Sequence, residues 1–191
     1  MPFVKERHYF NGAEKRIERL GLEPLWKELE DALKGFELKI EERRDANGAA
    51  EIRDSLDRQF LGRGGWTKKQ SGGVDWTKCH TVNGTTVCLG VELQISGRSD
   101  LVIVDVVHLR EELTLGRIDV GVIVVPSDHL AVFLTDRVAR YSDAVAAVRR
   151  AKAEDLPIAV LGIEHDGIGP AIAKRRTRQG RAVPESSEET Q

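Results

Sequence analysis

Hydrophobic and polar positions divide the chain into a helical first third, a central hairpin, and buried strands separated by helices. Asn11-Gly12-Ala13-Glu14 reads as a capping box with Asn11 as N-cap, opening a short helix that ends near Gly21. Pro24 suits the first turn of a second helix. Leu25, Trp26, Leu29 and Leu33 recur there at helical spacing, and Gly35 closes it. Phe36, Leu38 and Ile40 alternate with charges, as in a short half-buried strand, and Asn47-Gly48 reads as a turn. Ile52, Leu56 and Phe60 mark an amphipathic helix over 49–61, stopped by Gly62, Gly64 and Gly65. These stripes read as core packing.

Residues 72–97 carry the clearest turn, Asn83-Gly84, between two runs of strand formers. Propensity alone makes 101–109 (LVIVDVVHL) a strand. Topology predicts a helix instead, because two parallel strands need a crossover between them. Ser99 or Asp100 would cap it, Leu101, Val104 and Val107 would face inward, and Gly116 would end it. The nearly continuous apolar run 118–125 fits a central strand covered on both faces, terminated by Pro126. A helix over 141–153 and a buried strand over 157–163 follow. This order predicts an α/β fold, a central mixed sheet with helices on both faces. It also predicts one domain over 1–170, with a helical N-terminal segment over 1–63 and a core over 64–170. The polar tail 171–191, basic and then acidic, is expected to be disordered.

Composition adds limits. The 40% hydrophobic and 31% charged content fits a soluble globular chain. A net charge of −2 means that any nucleic-acid surface must be a local patch. No secretory leader or bilayer-length apolar run is visible, so a cytoplasmic location is expected. The 2 cysteines are too few for a disulfide framework, and His80 beside Cys79 has no further ligands at zinc spacing.

The hairpin geometry follows from its turn. A two-residue type I′ loop puts Val82 opposite Thr85, so opposed residues have position numbers adding to 167. Asp75 then opposes Glu92 at a non-hydrogen-bonded pair, with β-carbons about 4.5–5.5 Å apart. Gln94 shares their face. Opposed like charges destabilise a strand pair unless they share a proton or a divalent cation. A bulged hairpin leaving both acids solvated is the alternative, although the apolar neighbours Val91 and Leu93 disfavour solvation at Glu92. Cys79 also opposes Cys88. A cross-strand disulfide fits that geometry, but a reducing compartment favours free thiols.

Asp75 followed by Glu92-Leu93-Gln94 resembles the PD-(D/E)xK nuclease signature with glutamine in place of lysine. That replacement is similar to the BglII and BstYI branch of type II restriction endonucleases. Gly65-Trp66, Val74-Asp75-Trp76, the string Gly116-Arg117-Ile118-Asp119-Val120-Gly121-Val122 through Val125-Pro126, and Leu161-Gly162-Ile163 extend the resemblance over residues 50–165. It implies a restriction-endonuclease-like core and a Mg²⁺-dependent phosphodiesterase. Asp75, Glu92 and the Leu93 carbonyl would bind the metal, and Gln94 would sit where lysine positions the attacking water. The loop between the two acids is longer than the branch leads one to expect. A helix residue also approaches the metal in this family, for which Glu51 is the candidate.

For base reading, Ser96 and Arg98 follow the catalytic strand directly, and Arg137 and Arg140 precede the next helix. The resemblance further implies double-stranded DNA as substrate, a short palindrome with GATC as a candidate core, a two-fold homodimer, and a cognate DNA methyltransferase in a restriction-modification system. A repair or structure-specific nuclease, or a catalytically silent DNA-binding module, would keep the fold while changing the role.

Overall fold

The computed structural model of the chain describes residues 1–69, 73–135 and 137–174, and the backbone of 177–178 and 181–182. Strand β1 (Phe3–Tyr9) comes first, followed by α1 (Ala13–Arg19), α2 (Glu23–Lys34), β2 (Lys39–Ile40) and α3 (Ala49–Gly62). Next come β3 (Thr67–Lys68), β4 (Trp76–Val82) and β5 (Thr85–Leu93). A 3₁₀ turn over Ser99–Leu101 leads into α4 (Val102–Thr114). The rest is β6 (Val120–Pro126), α5 (Leu130–Phe133), α6 (Tyr141–Arg150), β7 (Ile158–Glu164) and β8 (Gly167–Ile168).

Six strands form one mixed sheet in the order β1-β7-β6-β5-β4-β3. Its centre, β5-β6-β7, is parallel, and both edges are antiparallel. The expected mixed sheet with helices on both faces is therefore the observed fold. Alternation along the central strands builds two cores. Val91, Leu93, Val122, Val124 and Leu161 pack against α1, α2 and α3. Ile123, Val125 and Val160 pack on the other face, against Val102, Val106 and Leu109 of α4 and against α6. Glu92 lies between Val91 and Leu93, so it takes the α4 face. Gly90 is on that face too, where an added Cβ would come within 2.7 Å of Ile118.

The hairpin has the predicted register. Val82 pairs with Thr85, and the ladder runs unbroken to Trp76 opposite Val91. Asn83 (φ 49°) and Gly84 (φ 81°) both take the positive φ that a type I′ turn demands. Cys79 and Cys88 face each other with Cα atoms 4.0 Å apart and form a disulfide, so the expectation of free thiols is corrected. A non-hydrogen-bonded pair brings opposed side chains closest, which suits this link.

Four other expectations change. The chain begins with a strand: β1 is a charged edge strand in which only Val4 is buried, a pattern without the apolar run that marks a central strand. Asn11 does not cap α1. Gly12 holds the N-cap position, and the Asn11 side chain donates instead to the Asp155 carbonyl. Asn47 is a fully buried hub rather than an exposed turn residue. Its amide donates to the carbonyls of Glu41 (2.8 Å) and Phe133 (2.9 Å) and accepts from the N–H groups of Glu41 and Ile172 (both 3.1 Å), which uses its full capacity. Finally, α4 turns a different face inward. Val102, Val106 and Leu109 are buried, while Leu101, Val104 and Val107 are 47, 43 and 49% exposed. The buried residues, with Leu113, fall at i, i+4, i+7 and i+11, a helical stripe that the additional apolar residues Leu101, Val104 and Val107 of the first two turns obscured.

Ile172 packs against the first core, so ordered chain continues past residue 170. Thr177–Arg178 pairs with Arg181–Ala182. The rest of 175–191, where disorder was expected, lies outside the described residues. Among the described residues, no helix is long and apolar enough to cross a membrane.

Candidate active site

Just before β4, Asp75 leaves the ladder and turns its own backbone and side chain toward Glu92. Its N–H donates to Glu92 Oε2 (3.3 Å), and its Oδ2 accepts from the Leu93 N–H (2.9 Å). The backbone ladder therefore ends at Trp76 opposite Val91, one residue short of the predicted acid pair, and side-chain bonds bring the two acids together instead. Arg53 reaches in from α3. Its guanidinium pairs with Asp75 Oδ1 at 3.0 Å and with Asp57 at 3.3 Å, and also donates to the Leu93 carbonyl. Asp57 is itself fixed by Trp76 Nε1 (3.0 Å) and Lys68 (2.6 Å).

Two groups enter from α4. His108 Nδ1 lies 3.2 Å from Glu92 Oε1. Asp105 is one helical turn away on the same face, and its Oδ2 is buried without a hydrogen-bond partner. Ligand atoms of Glu92, Asp105 and His108 all lie within 4.8 Å of one another.

The electrostatics reflect this crowding. Glu92 is only 3% exposed. Burial, then the charges of Asp75 and Asp105, push its carboxyl up to about 10. Burial and Asp75 push Asp105 up to about 7, with Arg53 opposing. For Arg53, burial works against the charge, but Asp75 and Asp57 outweigh it and hold the guanidinium more firmly protonated. The site thus concentrates acids that resist ionising without a further cation. Asp105 leaves a buried oxygen unused, and the Leu93 carbonyl is already directed at a positive group. Carboxylates plus a backbone carbonyl suit a hard divalent ion, so these residues fit a metal.

The other sequence candidates divide. Gln94 is buried on the Glu92 strand, but its amide donates to the Arg98 carbonyl (3.1 Å), bracing the turn after β5. Glu51 stays half-exposed with Arg58 3.5 Å away, and the α3 residue in contact with Asp75 is Arg53. Ser96 and Arg98 are exposed, with Arg98 paired to Asp100 through two bonds of 2.9 and 2.7 Å. Arg98 bridges to Val138, and the Ser99 N–H donates to the Arg137 carbonyl (2.7 Å). The two predicted DNA-facing segments are therefore neighbours. They border a groove of about 360 Å³ lined by Arg44, Ser99, Arg137 and Arg140 among others.

A family model described as restriction endonuclease BglII/BglIII matches residues 5–163. The chain belongs to this family. It is a type II site-specific DNA nuclease, it binds double-stranded DNA, and enzymes of this kind act with a divalent metal. No curated protein gives a match of its own. Sequence reasoning about this endonuclease missed Arg53, Asp105 and His108. The last two had a visible signal: a polar pair three residues apart in the otherwise apolar run 101–109. Arg53 had none, because an arginine four residues before an aspartate is an ordinary helix-surface pair.

Proposed function

We propose that the endonuclease cuts DNA at a short palindrome, with Mg²⁺ as cofactor and Asp75 and Glu92 as the central acids. One observation carries this reading. The Arg53 guanidinium holds Asp75 Oδ1 and the Leu93 carbonyl, two of the oxygens assigned to the metal, so a cation already occupies part of their field. Asp75, Glu92 and the Leu93 carbonyl would hold Mg²⁺, with Asp105 and His108 close to the same point. Bound there, the metal supplies Lewis-acid activation of water and neutralises charge developing on the phosphate. Gln94 is no base at neutral pH, and its role is to orient the attacking water. Its bond to Arg98 ties that role to the neighbouring DNA-facing turn. Ser96, Arg98, Arg137 and Arg140 contact DNA.

A palindrome matches two copies of the chain related by a two-fold axis. The exposed strip Leu101, Val104 and Val107 supports a homodimer seam on α4, the helix that also carries Asp105 and His108. A GATC core and a cognate methyltransferase complete the restriction-modification reading. Cleavage of linear duplex DNA in Mg²⁺ tests the site. The wild-type protein should give discrete fragments, and Asp75→Ala and Glu92→Ala should give none. Normal cutting by either variant would sink the assignment.

A further inference from the structure

A second cluster lies at the far end of β7, and the nuclease reading leaves it unused. Glu92 is level with Ile123, and Ile123 with Val160. Glu164 is four residues further along and two strands across, about 13 Å and about 10 Å in strand geometry. Ligand atoms of His129, Glu164 and His165 lie within 4.8 Å of one another. His129 enters from the turn before α5, and Glu42 approaches from the segment after β2.

The details point to a cation. His165 is nine-tenths buried, and its Nε2 has no hydrogen-bond partner. Its Nδ1 faces the Gly167 carbonyl at 3.3 Å, which fixes a proton there and, in the neutral ring, leaves the Nε2 lone pair directed inward. That lone pair faces Glu164 Oε1 at 3.4 Å and Glu42 Oε1 at 3.5 Å. A lone pair that faces two carboxylate oxygens is repelled by both unless something positive lies between them. Ligand atoms around a four-coordinate zinc-sized ion stand about 3.4 Å apart, from bond lengths near 2.1 Å. Both separations match. The stacked rings of His129 and His165, 5.8 Å apart, bring a second imidazole to the same place. Lys5 (2.7 Å), Ser127 (2.8 Å) and His129 Nδ1 (3.1 Å) crowd Glu164 Oε2, while Oε1 accepts the His165 N–H (3.1 Å) and keeps its second lone pair for the ion.

We propose that His129, Glu164, His165 and Glu42 form a second metal site for a divalent transition-metal ion of the zinc class. Imidazole and carboxylate together select such ions over Mg²⁺. The ion would pin the ends of β2 and β7 to the turn before α5.

The test is equilibrium dialysis with Zn²⁺, followed by metal analysis, on an Asp75→Asn/Glu92→Gln protein that lacks the nuclease acids. One equivalent should remain bound. His129→Ala and Glu42→Gln, both at exposed positions and safe for folding, should each weaken binding about tenfold or more in that background. Co²⁺ in place of Zn²⁺ should give the intense visible bands of four-coordinate geometry. Failure to bind Zn²⁺ at micromolar free ion, which would leave a proton as the occupant, overturns the proposal. So does binding that His129→Ala leaves unchanged.

Discussion

Glu92 and Glu164 are the same residue type, 3% and 4% exposed, each at the end of a central strand, yet their environments push them in opposite directions. Glu92 faces two other carboxylates and is driven up to about 10, by burial first and by Asp75 and Asp105 next. At Glu164 burial also acts upward, but donors from Lys5, Ser127 and the His165 N–H prevail and hold it below the ordinary range. The difference shows that burial alone does not mark a functional acid. The partners decide its charge: donors keep a buried carboxylate ionised, while other acids keep it protonated until a cation arrives.

Loss of cleavage is the largest effect expected from this contrast. Glu92→Gln should lower the cleavage rate by about 10³-fold or more, since the metal's share is several kcal/mol. The same variant should unfold at a higher temperature than wild type in chelator, because it removes a crowded acid. A lower melting temperature would mean that Glu92 is not the liability described here.

Arg53→Met comes next. It leaves Asp75 without its partner and should cost about 3 kcal/mol of metal-free stability, read by denaturant unfolding. A neutral result would show that the guanidinium does not balance the acids. Glu164→Gln should cost about 2 kcal/mol, from weakened bonds to Lys5 and Ser127. If Glu164→Gln stabilised the protein and Glu92→Gln destabilised it, the contrast would be inverted.

The pH dependence is the smallest effect per unit. Folded Glu92 keeps its proton from about 4.5 to about 10 while the unfolded chain loses it. The native state then binds more protons, so metal-free stability should fall as pH rises through that window, by at most about 1.4 kcal/mol per pH unit. Glu164 acts oppositely: its contribution is present above 4.5 and is lost as pH falls through its depressed folded value. Calorimetry in chelator between pH 5 and 9 should show this fall, and saturating Mg²⁺ should flatten it. A flat chelator profile would refute the raised value at Glu92.

Much of the molecule was legible because local rules sufficed. Asn83-Gly84 set a register that carried through to Trp76 opposite Val91, and so placed Asp75 beside Glu92 and Cys79 against Cys88. The unbroken apolar runs of β6 and β7 marked central strands, and the need for a crossover made α4 a helix against its own propensity. The sequence by itself thus determined the hairpin, the strand order around it and the acid pair. Turn chemistry and alternation act over a few residues, so they can be read from the chain. Tertiary structure alone decided that α4 crosses the sheet where Asp105 and His108 reach Glu92, while Leu101, Val104 and Val107 stay exposed. It also decided that Arg53, 22 positions before Asp75, would supply the opposing charge, and that Glu42, His129 and His165 would meet at Glu164. Those meetings depend on how packed elements cross, and no local pattern in the chain records that.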